Sequence, residues 1–421
     1  MAKTNQRKEI LVYAHWLGIK EPMLMGTLYS NPLRGKEIFS FEYAREWLNT
    51  EYVQVIDPDL NFFKGQQYLN DEESNFGIFL DSSPDRWGRI LMRRLEAAIA
   101  RKQQRSEKTL LESDYLLGVY DEHRVGGLRF KEDIKGPFMN FDEQYSVPPM
   151  TSLNELEQIS LKIEREDAVD DPEYLNWLNM LIAPGSSLGG ARPKASVIDS
   201  ELNLWIAKFP SLNDVKDIGA REMVVHELAV NVGLNVAEAM IKKYSGRHHT
   251  FLSKRFDRKQ KERIHFASAM TMLGYTDGAD AQAGASYLEL VDFLTANGAK
   301  VDKDLEELWK RIVFNIAVTN TDDHLRNHAF TLTEKGWILS PAYDINPIET
   351  GTGLKLNISE NDNSLDFDLA LSVIEYFRLE KEKAEKIIKH IKDTVSNWKT
   401  IAKKYNISKA DQELMSKAFR G

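Results

Sequence analysis

The chain has 421 residues, 42% hydrophobic and 28% charged, with a formal net charge of −9. That length and apolar content suit two or three globular domains with ample core. The acidic balance argues against a protein that grips nucleic acid by itself, which would carry a basic excess. The absence of cysteine rules out disulfides and thiolate chemistry and fits a reducing cytoplasm.

The opening stretch Met1–Trp16 is charged and then briefly apolar, unlike a signal peptide. No apolar run approaches the roughly 20 residues that span a bilayer, so the expectation is a cytoplasmic protein with no membrane contact. Ile10–Trp16 reads as a strand, and Ser40–Leu48 as a strand running into a short helix. From Asp85 to Arg105, Ile90, Leu91, Leu95, Ala98 and Ile99 recur at helical spacing, and Ser83-Pro84-Asp85 reads as the helix start. Arg93, Arg94, Arg101 and Lys102 fill the rest of that helix, as a solvated face or a docking face. Val125–Phe130 reads as a closing strand. A linker is expected around Gly136-Pro137 and Pro148-Pro149, followed by an acidic helix over 151–168. Strands at Ala195–Ile198 and Leu204–Lys208, a helix from Gly219 to Val232, and helices dominating after Ser286 complete the pattern. One strong helical stretch, 370–404, is expected to break into two. The divisions expected are 1–135, an α/β subdomain; 136–175, a linker and helical connector; and 176–421, a second domain in two parts, 176–260 and 261–421.

The run Thr321-Asp322-Asp323-His324-Leu325-Arg326-Asn327, followed by Pro341-Ala342-Tyr343-Asp344, has the spacing of a phosphoryl-transfer centre. Such chemistry needs one carboxylate to orient and deprotonate the attacking hydroxyl, and a second, with an amide oxygen, to hold Mg²⁺ against the phosphates. Asp322, Asp344 and Asn327 suit those roles. Asp323 competes with Asp322, but only Asp322 stands five residues before Asn327. Asp-rich loops are also common turns and caps.

Upstream, Pro184–Lys194 is a Gly/Ser-rich loop ahead of a strand, able to approach phosphate oxygens or simply to turn. Lys208 ends an apolar strand and either meets an anion or snorkels to water. Glu222, on the next helix, either pairs with it or stands exposed. Leu252–Arg258 suits a hinge facing adenine, or a strand end with a salt bridge at Asp257.

The chain resembles the HipA-type toxin kinases of bacterial toxin–antitoxin modules. Ser187–Lys194, Ile206–Pro210, Gly233–Val236, Arg255–Arg258, Thr321–Asn327 and Pro341–Asp344 carry the resemblance, with Asp85–Arg89 and Val125–Phe130 in the first domain. It implies an α+β, bilobal protein-kinase-like fold with an N-terminal α/β subdomain and a largely helical C-terminal lobe. It implies a serine/threonine protein kinase using ATP and Mg²⁺, with Asp322 as catalytic base and Asn327 and Asp344 as metal ligands. Nucleotide contacts would come from Gly189, Gly190, Ala191, Arg192, Lys194, Lys208, His324, Asn327 and Tyr343, and from the backbone of Lys254 and Phe256. Ser187, with Ser186 as its neighbour, matches the serine that the family autophosphorylates, and a phosphate there would repel those of ATP. The implied partners are a HipB-like helix-turn-helix antitoxin, DNA only through that antitoxin, and a protein substrate such as an aminoacyl-tRNA synthetase. The family's usual pair before the loop lysine is replaced here by Arg192-Pro193. A small-molecule or lipid kinase of similar fold, and a catalytically silent corepressor, are the competing readings.

Overall fold

A computed structural model of the chain describes residues 7–33, 35–69, 73–139, 147–182, 192–244 and 246–421. They fall into two compact units, Met1–Leu212 with Asp257–Ala267, and Asn213–Phe256 with Ser268–Gly421.

In the first unit, β1 (Lys8–Ala14) buries Ile10, Val12, Tyr13 and Ala14, so its last three residues are covered on both faces. It pairs antiparallel with β2 (Met23–Leu33), which pairs with β3 (Lys36–Tyr43) and through it with β4 (Gln67–Tyr68). The register aligns Ile10, Leu28 and Phe41 across the three strands, and all three are fully buried. The helix α1 (Gly77–Asp81) lays Phe79 on this face, its ring 5.6 Å from that of Phe41.

Asp85 starts α2 (Arg86–Lys102) by accepting from the Gly88 N–H at 2.8 Å, the capping geometry that satisfies an orphan helix donor. The arginines of α2 are only partly solvated. Arg93 is exposed, but Arg94 donates to the carbonyl of Ile163 at 2.9 Å. Arg89 forks onto Glu112 of α3 (Glu112–Gly118), with both bonds at 2.7 Å. Then β5 (Leu128–Lys131) closes the sheet against β1. The helices α4 (Leu153–Ile163) and α5 (Tyr174–Ile182) precede the antiparallel pair β6 (Lys194–Ile198) and β7 (Leu204–Lys208).

In the second unit, α6 (Ile218–Asn231) is capped by Asp217 and leads to the antiparallel pair β8 (Ala239–Lys242) and β9 (Thr250–Lys254). The short strands β10 (Arg258–Lys259), β11 (Glu262–Arg263) and β12 (Phe266–Ser268) follow in the chain, β10 and β11 within the first unit. Next come α7 (Ala269–Met272) and α8 (Tyr287–Asn297), the latter opened by a Ser286/Glu289 capping box. The C-terminal half of α9 (Val301–Val318) is buried on every side. The hairpin of β13 (Ala329–Thr333) and β14 (Gly336–Leu339) packs near it. The 370–404 stretch, expected to break into two, is interrupted twice, over 373–380 and at Ser396-Asn397. It yields α11 (Lys381–Val395) and α12 (Trp398–Lys404), after α10 (Phe367–Ser372) and before α13 (Lys409–Met415). Among the described residues, no helix is long and apolar enough to cross a membrane.

Candidate active site

The site grows from the end of α9. Thr319 adopts a left-handed conformation, φ 49°, which stops the helix and turns the chain. The loop that follows closes with a short 3-10 turn at Leu325–Asn327, where Asn327 N–H donates to the carbonyl of His324 at 2.8 Å. The buried Leu325 anchors it.

The Asn327 amide is fixed. Its Nδ2 donates to the backbone carbonyl of Asp322 at 2.6 Å, which spans the five-residue interval seen in the sequence. Its Oδ1 is buried and accepts no hydrogen bond among the described residues. Asp322 and Asp323 part company here. The Asp322 side chain is 56% exposed, whereas Asp323 is 1% exposed and points into the protein. There Asp323 accepts from the hydroxyl of Tyr287 and, at 2.8 Å, from the Lys355 N–H. Burial pushes its carboxyl up to about 6 despite those donors. Its geometry is that of a loop anchor, and the exposed Asp322 is the carboxylate available to a substrate. His324 Nε2 lies 3.9 Å from Asp322 Oδ1.

Asp344 sits in a second loop with φ 56°, a strained setting that Asp tolerates better than most residues and that clusters at functional sites. The segment before it is stitched to residues 235–237: Ala342 N–H donates to Asn235 at 2.8 Å, and Ala237 N–H to Ala342 at 3.3 Å. The segment after it is laid on the first loop. Asn346 Nδ2 donates to Asp344 Oδ1 at 2.9 Å, Asn346 N–H to Asn320 Oδ1 at 3.3 Å, and Ile348 N–H to the Thr319 carbonyl at 3.1 Å. Tyr343 closes the same join by donating to the Arg326 carbonyl at 2.7 Å. Its ring lies 5.5 Å from that of Phe256. A recess of about 10 Å³, lined in part by Arg311, Asn320, Asn327, His328 and Tyr343, has room for about one water and no substrate.

No cluster of three or more His, Asp or Glu side chains among the described residues forms a metal cage. Mg²⁺ in phosphoryl transfer does not require one, because it is held by one or two carboxylates together with substrate phosphates. The donor set fits that mode: a carboxylate at Asp344 and a hard, unpartnered amide oxygen at Asn327.

Farther along the second loop, Glu349 accepts from Arg221 at 2.6 Å and Lys216 at 3.0 Å. Burial raises its carboxyl, but these donors outweigh burial and hold it at about 2. Arg221, on α6, also pairs with Asp411 of α13. Sequence reading missed this hub. Glu222 beside it is buried, not the exposed helix glutamate that was one expectation.

Ser186, Ser187, Gly189, Gly190 and Ala191 lie outside the described residues. In the first unit, Arg192 Nη2 reaches the Phe209 carbonyl at 3.4 Å. Lys194 and Lys208 stand directly opposite each other on β6 and β7. Like charges so placed repel, and Lys194 is answered by an ion pair with Asp85 at 2.7 Å, with both side chains buried. Asp257 pairs with Arg258 at 2.7 Å and accepts from Gly126 N–H at 2.9 Å, the strand-end salt bridge that was one expectation. In the second unit, the Lys254 N–H is committed to the Glu238 carbonyl at 2.8 Å, and its ammonium lies 3.3 Å from the Glu238 carboxylate.

The architecture is the protein-kinase-like α+β fold of HipA. A chain of the Shewanella oneidensis MR-1 toxin–antitoxin complex of HipA, HipB and operator DNA aligns over 96% of this chain and 94% of its own length, with a TM-score of 0.63 and 16% identity. Residues 186–398, half of the chain, match the HipA-like C-terminal domain, and the chain belongs to that family. A curated Sinorhizobium fredii protein named "Putative kinase Y4mE" is 28% identical over 176 residues, covering 38% of this chain and 41% of that protein. A Haemophilus influenzae protein named "Putative kinase" is 25% identical over 179 residues, covering 38% of this chain and 52% of that protein. The chain thus spans about half the length of the curated relatives it matches.

Proposed function

We propose that this chain is an ATP- and Mg²⁺-dependent serine/threonine protein kinase that acts as the toxin of a toxin–antitoxin module. The observation that carries the reading is the Asn327 amide. Its nitrogen is locked to the Asp322 carbonyl, and its buried oxygen is left without a partner beside a loop that carries Asp344. A buried polar atom with no partner is costly unless a ligand satisfies it.

In this reading Asp322 orients the acceptor hydroxyl and receives its proton as the oxygen attacks the γ-phosphorus. The bond from that phosphorus to the β,γ-bridging oxygen breaks, and ADP leaves with the electron pair. Asn327 and Asp344 hold Mg²⁺, which when bound neutralises charge on the β- and γ-phosphate oxygens. Gly189, Gly190, Ala191, Arg192, Lys194, Lys208, His324 and Tyr343, with the backbone of Lys254 and Phe256, enter as nucleotide contacts through the family resemblance. Because the Lys254 N–H is taken by β-pairing, any adenine contact at that residue falls to its carbonyl. Ser187 enters in the same way as the autophosphorylated serine. The HipA relative is described in a complex with HipB and operator DNA. A HipB-like antitoxin is the corresponding partner here, and a translation component such as an aminoacyl-tRNA synthetase the corresponding substrate.

The purified chain should incorporate labelled phosphate from Mg²⁺–ATP, and Asp322→Ala and Asp344→Ala should each abolish incorporation while circular dichroism stays unchanged. Wild-type incorporation by either variant overturns the assignment. In a lysate, label appearing in a metabolite and in no protein would replace the protein acceptor with a small molecule.

A further inference from the structure

Asp323 does not face the substrate side of its loop, yet it is more heavily bonded than Asp322. Its Oδ2 accepts from Tyr287, the first residue of α8. Tyr287 Oη in turn accepts from Asn315 Nδ2 at 3.3 Å, and Asn315 Oδ1 accepts from Asn320 Nδ2 at 3.1 Å. Asn320 Oδ1 accepts from the Asn346 N–H at 3.3 Å, and Asn346 Nδ2 donates to Asp344 Oδ1 at 2.9 Å. These bonds form one unbroken chain from the loop of Asp322 to the carboxylate of Asp344. Tyr287, Asn315, Asn320 and Asp323 are all at least 96% buried. At the far side of Asp323, the Lys355 N–H donates to Oδ1 at 2.8 Å, so the segment after Asp344 is tied to this chain at both ends.

Burying four polar side chains costs stability unless each is satisfied, and a fully satisfied network selects one geometry. An apolar wall would support α8 and α9 at least as well. What a directional chain adds is a fixed relation between two loops that the β13–β14 hairpin separates along the chain.

We infer that Tyr287 and Asn320 are positioning residues, two of the links of a buried hydrogen-bond chain that couples the Asp322–Asn327 loop to the metal-binding carboxylate of Asp344. The coupling rests on the geometry alone. Its consequence for the metal rests on the kinase reading, and the two are tested separately.

The first arm is amide hydrogen exchange on the full chain without ligand. Tyr287→Phe removes the hydroxyl that joins Asp323 to Asn315. Exchange should rise about tenfold or more both at Lys355 and at Asn346, because each amide is held by one end of the chain. Tyr405→Phe, which removes a hydroxyl bonded to Glu227 elsewhere in this unit, should leave both amides unchanged. A rise confined to Lys355, with Asn346 unmoved, overturns the coupling. If Tyr287→Phe fails to fold, Asn320→Ser cuts the same chain in its middle. It should then loosen Lys355, which Asn320 does not touch; an unmoved Lys355 amide is the overturning result. The second arm titrates Mn²⁺ by paramagnetic resonance in the presence of a non-hydrolysable ATP analogue. Tyr287→Phe should weaken Mn²⁺ about tenfold with metal-free nucleotide affinity unchanged. Equal Mn²⁺ affinity in variant and wild type overturns the link to the metal. Absence of Mn²⁺ binding in the wild type instead overturns the kinase reading and leaves the exchange arm to decide the coupling.

Discussion

Replacing Asp323 with Asn tests whether that carboxylate is a buried anchor and not the base. Burial raises the Asp323 carboxyl to about 6 in the folded protein, against about 3.9 in an unfolded chain. Between those values the folded state holds a proton that the unfolded state has lost, so this group makes stability fall as pH rises. The full penalty for two pH units is about 3 kcal/mol. Across the accessible window from about pH 4.5 to about pH 7.5 it amounts to about 2 kcal/mol, because the unfolded group is already largely ionised at the lower end. The Asn variant has no such titration. Its melting temperature should therefore gain on that of the wild type by about 4–8 °C across the window, taking 2–4 °C per kcal/mol for a unit of this size. Differential scanning calorimetry of both proteins at matched ionic strength reads this double difference, in which other titrations cancel. A difference that stays flat with pH, or in which the wild type gains, refutes the assignment of Asp323 as a desolvated anchor. Phosphate incorporation at pH 7.5 is the companion measurement. Asp323→Asn keeps an acceptor for Tyr287 or Lys355 and should retain activity that Asp322→Ala loses.

Two further predictions concern ion pairs. The buried pair of Lys194 and Asp85 should make Lys194→Met cost about 3–5 kcal/mol, since it removes the cation paired with a buried carboxylate. Adding Asp85→Asn, which keeps an acceptor for the Gly88 N–H, should recover part of that loss, and two melting temperatures that simply add would contradict a direct pair. Glu349 is held at about 2, so its contribution is present above about 4.5 and is lost as pH falls toward 2. Glu349→Gln should cost about 1–3 kcal/mol at neutral pH, after discounting for solvent screening, and should flatten the acid arm of the stability profile; an unchanged acid arm would assign it elsewhere.

The parts of the fold that were legible were those with a local signature. The α2 start at Asp85, the apolar run of β1 and the Asp322-to-Asn327 interval each involve residues close together in the chain, and their physics is short-ranged. Contacts made by distant residues were not legible. Lys194 meets Asp85 across 109 positions, and Arg221 meets Asp411 across 190, with nothing in either local pattern to announce the partner. The arginines of α2 show the same limit. Composition marks them as a charged face, but only the structure shows that Arg94 spends its charge on a carbonyl of α4.

One signal for the buried chain was present and is of general use. Trp309–Val318 is apolar along the helix except for Lys310, Arg311 and Asn315. The first two can extend to solvent or reach an acid, and Arg311 does pair with Glu307 one turn away. Asn315 has no length with which to escape, so in the middle of a buried helix it must be hydrogen-bonded in place. A short amide in an apolar helix that ends two residues before Asn320 therefore implies a partner close to the following loop. The same reasoning separates Asp322 from Asp323. The loop is bracketed by buried Asn320 and Leu325, so its two adjacent carboxylates cannot share an environment, and one of them must answer the interior while the other meets solvent. The inward one is identified by Tyr287, and this division between neighbours fixes one carboxylate in the interior while leaving the other open to solvent.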